Sequence, residues 1–315
     1  MSGDWSSDVC SSDLCLQAQH SFSFDVKSMN SAIANHLSDD FNYIGFACGF
    51  IVFFFLWLSM GSIELAVLSF IPMAISWLWI LGLMAIFHMQ FNIVNIILAT
   101  FIFGQGDDYT IFMTEGAMYE YAYRRKMLAS YKHSIIISAL IMFIGIGTLI
   151  VARHPALRSL AEVTIAGMFS VVLMAYIFPP LIFNWLVKHK GEYRVRPLSL
   201  QMLFRRRKEG VAYYHDLVLD RYRYKGVEVF STVKRNLRRN RDYQAWMEQQ
   251  DTSLPVIIPS AGYGEKVLLF ALLHPETKVI AVEADPDKCR LMKFSMEGIV
   301  ENVEIINQAE ISRQM

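Results

Sequence analysis

The chain is short of charge, of net charge and of cysteine. Only 18% of its 315 residues are charged, and 29 basic side chains balance 29 acidic ones. That balance excludes a polyanion-binding protein, which needs a basic excess, and the apolar content excludes a disordered chain. Cys10, Cys15, Cys48 and Cys289 fall at spacings that fit neither metal ligation nor a disulfide framework. What the sequence has instead is 54% hydrophobic residues, with 22 Phe and 17 Met and a mean hydropathy of +0.32. A soluble domain of this size would expose more charge, so the composition points to a membrane protein. The average conceals two unlike halves: residues 41–187 are nearly all apolar, whereas the chain from 188 onward is charged and ends in an α/β pattern. At least two domains follow.

Five apolar runs stand out: Asn42 to Met60, Leu65 to Phe87, Phe91 to Met113, Ser134 to Ala152, and Val163 to Val187. At about 1.5 Å per residue, each is long enough for a hydrocarbon core about 30 Å thick. Five transmembrane helices are therefore predicted. Buried helices of a large soluble protein would need an amphipathic shell, which the sequence does not supply.

Orientation follows from the loop cations, since Lys and Arg stay on the cytoplasmic side. Arg124, Arg125, Lys126 and Lys132 lie between the third and fourth spans. Lys188, Lys190, Arg194, Arg196 and the run Arg205 to Lys208 follow the fifth. An odd number of spans puts both segments on one side, so the C-terminus is expected in the cytoplasm and the segment before Asn42 outside. Glu115 to Lys132 reads as a surface amphipathic helix with Tyr119, Tyr121, Tyr123 and Tyr131 at headgroup level.

The third span contains Gly104-Gln105-Gly106-Asp107-Asp108-Tyr109. A carboxylate near mid-membrane costs roughly 2.5–3.5 kcal/mol, so it persists where it faces a bundle interior and has a task. Exchange of protons is the expected task. Gly104 and Gly106 would let a neighbouring helix approach closely. The alternative is that the span ends early and the two acids merely begin the loop, but Ile111, Phe112 and Met113 continue the apolar run beyond them.

The arrangement G-x-x-x-D-Y at Gly104 to Tyr109 resembles the proton-relay helix of the RND superfamily, specifically of MMPL-type lipid exporters. His154 to Leu160, then Gly167 to Pro179-Pro180, is similar to the end of an MMPL membrane domain. The resemblance covers roughly residues 20–187. It implies a bacterial inner-membrane exporter of lipid or lipid-like molecules driven by protons, with the relay at Asp108 and Tyr109 and Asp107 as a neighbour. It also implies a second transmembrane repeat carrying a matching Asp-Tyr pair. Only the last five spans of one repeat are present here, so the chain is expected to be a fragment that needs the missing first repeat as its partner.

Between Lys188 and Gln250 the chain is basic, with interleaved tyrosines such as Arg221-Tyr222-Arg223-Tyr224-Lys225. The nearby anionic leaflet, at about 1 kcal/mol per cation, is a simpler partner than single-stranded nucleic acid, so no nucleic-acid binding is expected. This stretch reads as a basic cytoplasmic linker over 188–250, lying on the leaflet or fixing topology.

From Leu254 the pattern becomes strand, glycine loop and helix: Pro255 to Pro259, Ser260-Ala261-Gly262-Tyr263-Gly264, and Glu265 to Leu273. A strand from Lys278 to Val282 ends at Glu283, Asp285-Pro286 opens a helix, and Val303 to Ile306 forms a third strand. Glycines suit close backbone approach to a ligand, and an acid about 20 residues on can bind ribose hydroxyls. Together these resemble a class I S-adenosylmethionine-dependent methyltransferase. That resemblance implies cofactor contacts at Gly262, Gly264 and Glu283. Ile258 stands where the family has an acid, and Ser260 where it has its first glycine. With three strands present, the unit is expected to be truncated and inactive as an enzyme.

Residues 1–14, MSGDWSSDVCSSDL, lack the regions of a signal peptide and are similar to a translated sequencing adapter, so they are set aside as an artefact. Residues 15–41 read as the end of a periplasmic domain, 42–187 as the transmembrane domain and 251–315 as the partial methyltransferase-like domain. The combination resembles multidomain proteins that also carry a lysophospholipid acyltransferase with an H-x-x-x-x-D motif. That spacing at His20 to Asp25 is read as chance, so the chain is expected to have either a shorter architecture or a sequence deleted between about residues 196 and 217. The predicted fold is thus an α-helical polytopic membrane domain followed by a truncated α/β Rossmann-like unit. The functional reading is a proton-coupled exporter, with a membrane-anchored methyltransferase or an inert remnant as alternatives.

Overall fold

The computed structural model describes residues 43, 46–86, 93–204, 209–238 and 241–308. The adapter-like leader, the periplasmic segment at 15–41, the His20 and Asp25 pair and the run Arg205 to Lys208 lie outside them. Among the described residues the first half is a bundle of five helices: α1 (Phe46–Met60), α2 (Ile63–Ile86), α3 (Ile93–Tyr123), α4 (Leu128–Gly147) and α5 (Pro155–Val187). Among the described residues, three helical stretches, Ile63–Ile80, Leu128–Val151 and Leu160–Val187, are long and apolar enough to cross a membrane. The other two expected spans fall on α1, which is shorter, and on α3, whose apolar run is broken by Gln105, Asp107 and Asp108.

Local chemistry sets the boundaries. Gly61 takes φ +64 and ends α1, and Ser62 Oγ accepts a hydrogen bond from the Leu65 N–H to start α2. Pro72 sits inside α2, while Pro179 and Pro180 sit inside α5. Each removes one backbone donor, a loss that packed membrane helices tolerate. α3 does not stop at Met113: it runs unbroken for 31 residues, about 46 Å at helical rise, and ends where Arg124 adopts φ +52. The separate amphipathic helix expected over Glu115 to Lys132 is therefore replaced by the tail of α3, a tight turn and the first residues of α4. Tyr121 is buried rather than set at headgroup level; its ring lies 5.9 Å from Phe183 and 5.5 Å from Tyr193.

α5 is the helix on which α2, α3 and α4 all pack. One apolar core joins Ile80, Tyr109, Met113, Ile135, Met168 and Val171. A second, towards the other end of the bundle, joins Met60, Leu65, Met118, Phe183 and Val187 to Tyr224 of the second half.

The second half opens with a small antiparallel hairpin, β1 (Lys188–His189) and β2 (Glu192–Tyr193). Helices α6 (Leu200–Phe204), α7 (Val211–Tyr222), α8 (Val227–Arg238) and α9 (Arg241–Glu248) follow, then β3 (Val256–Pro259), α10 (Glu265–Leu273), β4 (Val279–Glu283), α11 (Pro286–Met296) and β5 (Val303–Asn307). The last three strands form a parallel sheet in the order β3, β4, β5, with Val256 opposite Val279 and Val279 opposite Val303. Parallel neighbours require crossovers, which α10 and α11 supply.

The basic segment at 188–250, expected as a linker, carries helices packed on the α/β unit. Val218, Tyr222, Val229, Val233 and Leu237 are buried in the same core as Val267, Phe270 and Leu291. Their apolar side chains lie one helical turn apart on α7 and α8, so these helices bury a stripe against the α/β unit.

Candidate functional site

Helical phase sorts the three consecutive site residues of α3. Asp107, Thr110 and Thr114 share one face at spacings of three and four. Thr110 Oγ1 donates to the Asp107 carbonyl at 2.9 Å, and Thr114 Oγ1 donates to the Thr110 carbonyl at 2.8 Å. Thr114 Oγ1 also meets Ser69 Oγ of α2 at 3.0 Å, so this face turns towards α2. Asp107 is only 8% exposed, and its Oδ1 has no hydrogen-bond partner among the described residues. A carboxyl group held this way in an apolar bundle is costly.

Asp108 points elsewhere: it is exposed on the outside of the described helices. Tyr109 is buried, and its hydroxyl lies 3.2 Å from Ser138 Oγ of α4. The two glycines also part company. A Cβ on Gly106 would lie 3.1 Å from Val171 of α5, so this glycine does permit close helix contact, whereas Gly104 has nothing within 4 Å. A tighter approach lies one span of helix further on, where a Cβ on Gly116 would meet Tyr131 of α4 at 2.7 Å. Ser69, Thr110, Thr114 and Ser138 escaped sequence reasoning, although the spacing of Asp107, Thr110 and Thr114 on one helical face was readable.

In the second half, a glycine loop leaves the end of β3. Ser260, Gly262 and Gly264 all have positive φ, at 54, 62 and 82 degrees. Glu283, at the end of β4, faces this loop: its Oε2 accepts from the Gly262 N–H at 2.7 Å, and its Oε1 accepts from the Ala284 and Asp285 N–H groups at 3.1 and 3.2 Å. The space beside Gly262 is open, whereas Met292 of α11 fills the side of Gly264 where a Cβ would stand. Gly264 thus serves the packing of α11, and Gly262 and Glu283 are the pair brought together. Asp285 caps α11 by accepting from the Asp287 N–H at 2.9 Å.

The two halves meet through cations. Arg125 pairs with Asp287 at 2.8 Å and Arg124 with Glu297 at 3.6 Å, while the Arg124 guanidinium lies 3.4 Å from the centre of the Tyr193 ring. Arg221, 5% exposed, donates to the carbonyls of Ser295, Phe294, Glu297 and Arg194 at 2.8, 2.9, 2.7 and 3.2 Å. It closes the C-terminal end of α11, where helix carbonyls lack partners. Lys225 Nζ donates to Ser295 Oγ at 2.7 Å. Burial, reinforced by the like charges of Arg221 and Arg124, holds this ammonium well below the ordinary Lys range. Arg221 thus holds backbone carbonyls, whereas Arg124, Arg125 and Lys225 hold side chains of the second half.

Residues 27–211, more than half of the chain, match the MMPL family. The match covers the helical bundle and ends as α7 begins, short of the parallel sheet. No curated protein and no solved structure is significantly similar to the chain.

Proposed function

The chain belongs to the MMPL family, and we propose that its bundle works as the coupling half of a proton-driven exporter of lipid or lipid-like molecules in the bacterial inner membrane. In this reading all five helices cross the bilayer. The turn after α3 and the hairpin after α5 both carry cations and lie side by side against the α/β unit. That shared side supports a cytoplasmic C-terminus by the positive-inside rule.

The observation that carries the proposal is the buried carboxyl of Asp107, with an oxygen lacking any partner, on a hydroxyl-lined face of α3 beside the outward-facing Asp108. Carboxyls on adjacent residues, one inside the bundle and one on its outer surface, suit the passage of a proton through the bundle. Asp108 is the group a matching transmembrane repeat would meet, and Tyr109, bonded to Ser138, links the site to α4. Proton passage would shift α3 against α4 and α5, the contacts that open and close a lipid path.

The test is lipid export together with proton flux in membranes carrying the transporter. Asp108→Asn should abolish both, and Asp107→Asn should reduce both at least tenfold. Preserved proton-driven export in Asp108→Asn contradicts the assignment.

A second reading concerns the α/β unit and rests on the Gly262 and Glu283 pair. The open backbone at Gly262 and a carboxylate beside it suit the sugar of a nucleoside cofactor such as S-adenosylmethionine. Glu283 already accepts three backbone donors, which leaves one of its roughly four lone-pair sites for a ribose hydroxyl. When bound, this cofactor supplies an activated methyl group, while Glu283 and Gly262 would only bind and orient it. Calorimetric titration of the chain with S-adenosylmethionine should give saturable binding that Glu283→Ala weakens. Binding that is absent, or unchanged in Glu283→Ala, rejects this second site.

A further inference from the structure

A cavity of about 140 Å³ lies where the bundle meets α7 and α8. Met60, Leu65 and Met118, at the ends of α1, α2 and α3, and Val227 and Phe230 of α8 give it apolar walls, and Arg223 and Lys234 supply its only charged side chains. It is too small for a whole lipid but large enough for a small polar group.

Three features point to an anionic occupant. Among the described residues, no acidic one lines the cavity. Lys234 is exposed and has no ion pair among the described residues. Arg223 is 6% exposed; its outer nitrogens face Gln201, Asp220 and Glu64 at 2.7, 3.6 and 3.9 Å, but its Nε–H has no acceptor among the described residues. A buried donor left without an acceptor is costly unless something supplies one.

The surroundings identify the source of that anion. The cavity lies beside the turn that joins α1 to α2, with Met60, Gly61, Ser62 and Leu65 in its wall. Beside it, Phe54, Trp57 and Leu58 of α1 are exposed, a surface suited to hydrocarbon. A free anion would gain nothing from apolar walls. We infer that this cavity binds the phosphate-bearing headgroup of an anionic phospholipid from the leaflet facing the α/β unit, with its acyl chains on the outer surface of α1. Lys234 and the Arg223 Nε–H hold the phosphate, and Val227 and Phe230 pack on the glycerol end. Such a lipid would bridge the two halves of the protein.

The test is native mass spectrometry of the full chain in neutral detergent, titrated separately with phosphatidylglycerol, phosphatidylcholine and inorganic phosphate. One phosphatidylglycerol should be retained in preference to phosphatidylcholine. Lys234→Glu changes the local charge by two units, so its dissociation constant should rise about thirtyfold, while Lys234→Arg keeps near-normal binding. Val227→Trp, which fills the cavity, should also release the lipid. Because Lys234 is exposed, Lys234→Glu folds normally and decides the outcome even if Val227→Trp does not fold. Equal retention of the two lipids, unchanged binding in Lys234→Glu, or inorganic phosphate binding as tightly as the lipid overturns the inference.

Discussion

Replacing Arg221 by Met tests whether α7 is fastened to the C-terminal end of α11 as the geometry indicates. The guanidinium makes four hydrogen bonds to backbone carbonyls, three of them at the last turn of α11. Hydrogen bonds from a charged donor contribute about 1.5–3 kcal/mol each, a naive sum of roughly 6–12 kcal/mol. That sum is too large, because the charge itself was desolvated on burial and the exposed side of Glu297 lets water reach part of the freed turn. Breaking a buried charged network by removing one partner typically costs about 3–5 kcal/mol, and that range is expected here. Met preserves the packing of the stem, so the loss reports the guanidinium alone.

Hydrogen exchange followed by mass spectrometry localises the effect. Peptides covering residues 291–300 should lose protection by about two to four orders of magnitude, at 1.4 kcal/mol per tenfold, while α4 stays unchanged. Arg221→Lys should recover less than half, because an ammonium cannot reproduce the planar fork. Protection reduced by less than tenfold in Arg221→Met, or lost equally across the bundle, would refute the reasoning.

Three further outcomes follow from the same packing. Lys225 has a folded pKa well below its ordinary 10.5, so between the two values the unfolded chain holds a proton that the folded chain has released, and stability rises with pH. Wild type should therefore gain on Lys225→Met as pH increases from about 7 to about 10 in denaturant titrations, and a constant difference contradicts this. Gly116→Ala drives a Cβ into Tyr131 and should cost about 1–3 kcal/mol in thermal unfolding, whereas Gly104→Ala, facing open space, should be neutral or slightly stabilising. Gly264→Ala combines a positive φ of 82 degrees with a clash against Met292 and should cost about 2–5 kcal/mol. Gly262→Ala, strained but unobstructed, should cost only about 1–2 kcal/mol, and equal losses for the pair would contradict the packing described.

Local pattern carried much of this architecture. Apolar runs marked the helices of the bundle, and turn chemistry at Asp285-Pro286 and around Gly262 marked where β3, α10, β4 and α11 begin and end, because caps and strand alternation act over a few residues. What escaped was relative phase and distant partnership. Asp107 and Asp108 are chemically identical neighbours, and only the packing of α3 on α2 and α5 buries one and exposes the other. Arg221, Arg223 and Lys225 read as leaflet-facing cations because nothing local reveals that the backbone carbonyls of residues 294–297, far along the chain, lie against Arg221. The continuation of α3 past Met113 was hidden for the same reason: Tyr121 and Ala122 look like interfacial residues until Phe183 and the α/β core cover them.

The most direct measurement is proton entry into proteoliposomes carrying the transporter under an imposed pH gradient, read with an internal pH-sensitive dye. Wild type and Glu283→Ala should admit protons alike, since Glu283 lies in the α/β unit, whereas Asp108→Asn should fall to the protein-free leak. Proton entry in Asp108→Asn equal to wild type would contradict the account of α3 as the coupling helix.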